Sequence, residues 1–144
     1  MKFYVPMIPP TVTAQMHKVD TRGRKPRFYD PPELVAAKSK LEAHLAKHRP
    51  DAPMSGPINL FVMWSFPMTG AHENGEFKTS RPDTDNLQKA LKDVMTKLGF
   101  WTDDAQVAFE QTVKMWSSNP GLFVTIEELP KTYSEYWEDQ YARY

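Results

Sequence analysis

Between Asn86 and Leu98 the apolar residues Leu87, Ala90, Leu91, Val94, Met95 and Leu98 fall at i, i+3, i+4, i+7, i+8 and i+11, and Gly99 follows. That spacing predicts an amphipathic helix with one buried stripe, stopped by a residue free to adopt the left-handed conformation. A helix with a single apolar stripe needs a second layer to cover it, so the rest of the chain must supply a sheet or another helix. The same helix is bracketed by acids. The run Arg81 to Val107 reads RPDTDNLQKALKDVMTKLGFWTDDAQV, with Asp83 and Asp85 before the pattern and Asp103 and Asp104 after it. Acids at the start are explicable as caps, which meet free backbone N–H groups and the positive end of the helix dipole. At the far end the dipole is negative, so Asp103 and Asp104 need another partner: a divalent cation or a network of loop hydrogen bonds.

Strands for the second layer are legible elsewhere. KFYVPMIPP (Lys2 to Pro10) is rich in β-formers and stops at a proline pair; INLFVMWSFPM (Ile58 to Met68) is dense in β-branched and aromatic residues. Gln106 to Trp116 and Leu122 to Leu129 read as two strands joined by SSNPG, a hairpin. A first helix is predicted after Asp30, with Asp30 as cap, Pro31 at the first helical position and Glu33 completing a capping box. Its inner face carries Leu34, Ala37, Leu41, Leu45 and His48, and Pro50 ends it. His44 and His48 are four apart but lack a third ligand, so metal binding there is not expected. Thr11 to Tyr29 reads as a loop. The order β-α-β-α-β-β defines an α+β fold: one compact domain over residues 1–129, two main helices packed on a mixed or antiparallel sheet. Residues 130–144 form a polar tail with interleaved Tyr and Trp, read as a short helix that packs on the domain or on a partner.

The 144 residues suffice for one core without disulfides, and the chain has no Cys. No apolar run approaches membrane length and no basic-then-apolar leader starts the chain, so no membrane association or export is expected. Net charge is zero, but residues 1–50 carry 10 Lys/Arg against 4 Asp/Glu, and residues 51–144 carry 8 against 14. Segregation of this kind can hide a basic binding surface behind a neutral total. The basic part centres on HKVDTRGRKPRF, where Lys18, Arg22, Arg24, Lys25 and Arg27 surround Gly23 and Pro26. This is either a solvated loop or an arm that grips phosphates.

Asp83 and Asp85 are placed by Pro82 in an extended approach to the helix, where i and i+2 point the same way. Two carboxylates on one side repel unless a cation lies between them. With a third acid from Asp103–Asp104 they would make a hard oxygen site for Mg²⁺. A helix of about 13 residues spans roughly 20 Å, so the chain after Gly99 must run back along the helix to bring that third acid near. Lys89 lies four residues after Asp85 and Asp93 four after Lys89, a stripe that is either a surface ion-pair ladder or part of the site. From spacing alone, both the cap-and-loop account and the metal account stand.

The run DTDNLQKALKDVMTKLGFWTDDAQV resembles the RusA family of Holliday junction resolvases, through Asp83, Asp85, Asn86, Leu87, Lys89, Gly99, Phe100, Trp101, Asp103, Asp104, Gln106 and Val107. Fainter similarity extends to IPP, to Arg22-Gly23-Arg24 and to VKM at Val113–Met115. The resemblance implies a Mg²⁺-dependent endodeoxyribonuclease, with Mn²⁺ as a substitute metal. It would act as a homodimer in the cytoplasm of a bacterium or of a phage's host, resolving four-way DNA junctions by paired symmetric nicks in recombination and repair. The catalytic set it implies is Asp83, Asp85, Lys89 and Asp104, with Asp83, Asp85 and Asp104 on the metal, Asp103 the alternative within its pair, and Asn86 either supporting a ligand carboxylate or simply capping. Lys18, Arg22, Arg24, Lys25 and Arg27, with Lys78, Arg81 and Lys114, would track the DNA backbone. The chain departs from the family in FKTSRPD, where better-known members carry a run of arginines, and in its Tyr/Trp-rich tail. The rival readings are a non-catalytic module that binds branched DNA and a structural protein with a Ca²⁺-stiffened loop.

Overall fold

The computed structural model describes residues 1–11 and 18–144, with the side chains of Lys18, Arg27 and Phe28 outside the description. In chain order the elements are β1 (Lys2–Pro6), β2 (Lys18–Asp20), β3 (Arg27–Tyr29), α1 (Pro32–Leu45), β4 (Ile58–Pro67), α2 (Thr84–Lys97), β5 (Val107–Ser117), β6 (Gly121–Glu128) and α3 (Tyr133–Tyr141). Four strands form a mixed sheet in the order β1-β6-β4-β5. β4 lies parallel to β5 and antiparallel to β6. Parallel neighbours need a crossover, and α2 is that crossover.

The expected hairpin is therefore absent: β5 and β6 are joined by SSNPG but do not pair, because β4 lies between them. Burial explains the insertion. β4 carries the densest apolar run of the chain and gains most from having neighbours on both edges. Its alternate residues Ile58, Leu60, Val62, Trp64 and Phe66 are buried, and they join Leu122, Val124 and Ile126 of β6 and Phe3 and Val5 of β1 in one cluster. Leu41 and Leu45 of α1 and Leu87, Leu91, Val94 and Met95 of α2 complete that cluster, so both helices cover the same face of the sheet. Truncating a fully buried member such as Leu91 to Ala would cost about 2–5 kcal/mol.

α1 starts one residue later than the capping reading requires. Pro31 occupies the N-cap position with no side-chain cap bond, and Asp30 instead accepts from Lys38 Nζ at 3.2 Å. Consecutive prolines bring no N–H groups that need capping, so nothing draws Asp30 or Glu33 into a box. The helix ends in a short 3₁₀ turn, Ala46–His48, and the His48 ring stacks on Phe3 at 4.4 Å as a packing residue. The segment read as a loop contains an antiparallel ribbon, β2 with β3, whose tip carries Arg22, Arg24 and Lys25. In the tail, α3 is capped reciprocally by Thr132 and Glu135, and Tyr136 meets the Phe109 ring edge-on at 6.0 Å. Among the described residues no helix is long and apolar enough to cross a membrane.

Candidate active site

α2 begins at Thr84, two residues before the expected start, so Asp85 lies in its first turn and not in an extended approach. The positive end of the helix dipole favours an acid there. Asp83 holds the N-cap position with extended backbone (φ −74°, ψ 148°), yet its side chain makes no cap bond. Asp85 Oδ1 accepts from the backbone N–H of Asn86 at 2.9 Å. The Asn86 side chain is buried, and its backbone is what reaches Asp85. Both carboxylates are exposed. One residue on, buried Gln88 accepts from Trp64 Nε1 at 3.0 Å while its own Nε2 finds no partner among the described residues.

The chain leading to Asp83 is stitched along the outer edge of β5. Gly75 N donates to Trp116 O (2.8 Å), Trp116 N to Glu76 O (2.9 Å) and Lys78 N to Lys114 O (3.0 Å). Beyond this ladder two lysines take over. Lys114 Nζ donates to the carbonyls of Ser80 and Pro82, each at 2.8 Å. Lys78 is 8% exposed; its Nζ bonds Ser80 Oγ at 2.6 Å and lies 4.3 Å from the Trp116 ring centre and 5.3 Å from that of Phe66. Burial, with the charge of Lys114 adding to it, holds the Lys78 ammonium below the ordinary lysine pKa. Both lysines were expected on the DNA surface, and the fold turns both inward to the approach segment.

Lys89 is exposed on α2, and its Nζ bonds Asp93 Oδ1 at 2.8 Å, one turn toward the C-terminus and away from Asp85. Asp93 is shared: its Oδ2 accepts from Lys38 Nζ at 3.3 Å, and Lys38 also reaches Asp30. The hydrogen bond it donates to Asp93 holds Lys89 above the ordinary lysine value, with a further contribution from the charge of Asp104. Asp104 thus stands within electrostatic range of Lys89.

At the other end of α2, Gly99 takes φ +79° and Phe100 N donates to Met95 O at 3.0 Å, closing the helix. The chain then enters a 3₁₀ turn, Asp104–Gln106, with Asp103 as its N-cap. Asp103 Oδ1 accepts from Ala105 N at 2.9 Å. Gln106 Oε1 accepts from the backbone N–H groups of Thr102 and Asp103, and its Nε2 donates to Met54 O and Gly56 O. Sequence reasoning missed this reciprocal box, although Asp103 and Gln106 stand at the required spacing of three. Asp103 holds the loop. Half-buried Asp104 accepts from Val107 N with its carbonyl, while its carboxylate accepts no hydrogen bond among the described residues.

β5 does run back along α2, as the bond from Lys92 Nζ to Glu110 Oε2 (2.7 Å) and the reach of Lys114 to Pro82 record. The consequence differs from the expectation. It is the far half of β5 that arrives beside Asp83, whereas Asp104 precedes the strand's start. Among the described residues no three His, Asp or Glu side chains converge as a metal cluster, so Asp83, Asp85 and Asp104 are not gathered together. The donor chemistry still fits Mg²⁺, a hard cation that takes one or two carboxylates and completes its shell with water and phosphate oxygens. Of the basic residues, Arg24, Lys25 and Arg81 are exposed; Arg22 forks onto Asp20 with two bonds of 3.0 Å; the side chains of Lys18 and Arg27 lie outside the described residues.

A small mixed-sheet domain with an acidic helix start and a basic ribbon is compatible with several functions, and comparison with known proteins supplies the class. The family described as Endodeoxyribonuclease RusA matches this chain over residues 7–127. A crossover junction endodeoxyribonuclease rusA of Lactococcus phage r1t is 31% identical over 122 residues, covering 83% of this chain and 91% of that protein. YqaN of Bacillus subtilis (strain 168) is 29% identical over 119 residues, 75% of this chain and 83% of its own length. The crossover junction endodeoxyribonuclease RusA of Escherichia coli (strain K12) is 54% identical over 50 residues, 34% of this chain and 42% of that protein. The chain belongs to the RusA family of endodeoxyribonucleases.

Proposed function

We propose that this endodeoxyribonuclease resolves four-way DNA junctions with Mg²⁺, nicking two strands symmetrically as a two-fold dimer in recombination and repair, within a bacterial or phage-infected cytoplasm. The observation that carries the reading is the start of α2: Asp83 sits at an N-cap position without capping, and Asp85 stands exposed one turn before Lys89. The Asp83 carboxylate is left without hydrogen-bonding work, and Asp85 gives only one oxygen to a backbone N–H, so both have acceptor capacity to spare for a ligand. Asp83 and Asp85 would hold the ion, and Asp104, which does not converge with them in the structure, would have to approach to serve as the third carboxylate. Bound there, Mg²⁺ supplies Lewis acidity and a water of lowered pKa. Lys89 would place its positive charge near the phosphate oxygens as negative charge builds on them. Doing so requires it to leave Asp93, and surface pairs of this kind are weak enough to exchange. Arg24, Lys25 and Arg81 would meet the backbone of the DNA arms without reading bases. The two-fold symmetry of a junction makes a C2 pair of chains the economical partner for paired nicks.

The test is cleavage of an end-labelled four-way junction beside a linear duplex of the same arm sequence, in Mg²⁺ or EDTA. Symmetric nicks on the junction alone, in Mg²⁺ alone, support the reading; tight junction binding without cleavage would replace it with a non-catalytic branched-DNA module.

A further inference from the structure

Lys78 and Lys114 present a physical problem. Both ammonium groups are drawn onto the three residues before Asp83, one is almost fully buried, and neither has a carboxylate partner among the described residues. Removing an ammonium from water without a counter-ion is costly. Cation–π contact with Trp116 and Phe66 offsets part of that cost for Lys78, but a neutral residue would avoid it altogether. A cost retained beside exposed acids of a nuclease suggests a use in the reaction. Contact with DNA phosphates is a poor account of Lys114, because two of its three N–H donors are already committed to carbonyls at 2.8 Å.

Those two carbonyls belong to Ser80 and Pro82, and Pro82 is bonded directly to Asp83. Among the described residues, backbone ladder bonds hold the segment to β5 only as far as Lys78, and past that point the Lys114 ammonium ties strand to segment. We infer that Lys114 is a positioning residue for DNA cleavage: reaching from β5, it fixes the backbone that carries Asp83. Lys78 braces the same segment through Ser80. The inference rests on the proposed catalytic role of Asp83.

The experiment uses the full chain and the variants Lys114→Met, Lys114→Arg and Asp83→Asn. It measures single-turnover cleavage at saturating protein, junction affinity across a salt series with Ca²⁺ in place of Mg²⁺, and thermal melting. Displacing a catalytic group by about 1 Å costs up to about 100-fold in rate. Lys114→Met is therefore expected to slow cleavage about 10- to 100-fold, with unchanged affinity and an unchanged slope of log affinity against log salt. Lys114→Arg, which keeps the charge and can donate to both carbonyls, is expected to recover most of the rate. If Lys114→Met does not fold, Lys114→Gln carries the same expectation, since its shorter amide cannot span both carbonyls. A salt slope shallower by about 0.9, with weaker binding and an unchanged rate at saturation, would overturn the inference in favour of a phosphate contact. An unchanged rate with unchanged binding, or a slowed variant that Lys114→Arg fails to rescue, would overturn it as well. Asp83→Asn separates the two levels: if it cuts normally, the assignment of the acids fails and the clamp with it, whereas an inert Asp83→Asn beside a fully active Lys114→Met removes the clamp alone.

Discussion

Asp83 and Asp103 occupy equivalent local positions, each the N-cap of a helical turn with extended backbone, and they are used in opposite ways. Asp103 Oδ1 accepts from Ala105 N, and Gln106 Oε1 answers by accepting from Thr102 N and Asp103 N. Asp83 makes no cap bond at all. Its backbone is held from outside, through the carbonyl of Pro82, while its carboxylate is left to solvent. One end of α2 is thus built to close on itself and the other to keep acids free on a fixed backbone. An acid whose hydrogen bonds are spent locally holds structure; one denied them at a position where they are easily made is held for another partner.

The largest effect should come from the open end. Asp85→Asn keeps the shape of the side chain and its acceptor for the Asn86 N–H but removes the charge a metal needs. Junction cleavage should fall by a factor of about 100 or more, a loss of about 2.7 kcal/mol or more in transition-state stabilisation, while junction binding is retained. Comparable cleavage by the variant would erase the contrast between the two ends. Next comes the closed end. The Gln106 side chain makes four hydrogen bonds, two within the loop and two that tie it to Met54 and Gly56, so Gln106→Ala should lower unfolding free energy by about 2–3 kcal/mol in a denaturant titration. Asp103→Ala removes a single cap bond and should cost about 1 kcal/mol by the same measurement. If Asp103→Ala instead left stability untouched and abolished cleavage, Asp103 would be the working acid of its pair.

How far these features could be read from the chain depends on the range over which each is determined. α2 was legible because its apolar stripe, its glycine stop and its acids are all local. So were the strand character of Ile58–Pro67 and the α+β class. Pairing was not: SSNPG between two strand patterns signals a hairpin, and only competition for the interior position, won by β4, separates β5 from β6. The ribbon of β2 and β3 was hidden in three-residue strands within a polar, basic run. For the candidate site, the acids and Lys89 stood out by spacing and the family resemblance implied their roles, but what surrounds them came from tertiary structure. Lys78 and Lys114 lie far apart in sequence and look like ordinary surface cations. Their convergence on Ser80–Pro82 depends on an edge strand receiving a loop, and no local pattern encodes that.

The smallest predicted effect is the most diagnostic. In most proteins an aspartate at an N-cap position contributes about 1 kcal/mol, through its hydrogen bond to the first turn and its charge near the helix dipole. At Asp83 the hydrogen bond is absent, so only the dipole term is left. Asp83→Asn should therefore shift unfolding free energy by no more than about 0.5 kcal/mol, in either direction, in the absence of divalent metal. Adding Mg²⁺ should stabilise the unmodified chain in a thermal melt and stabilise Asp83→Asn less, because only the carboxylate gains from the ion. A loss near 1 kcal/mol without metal, and an equal response of the two chains to Mg²⁺, would make Asp83 an ordinary cap. The start of α2 would then differ from the turn at Asp103 in geometry alone.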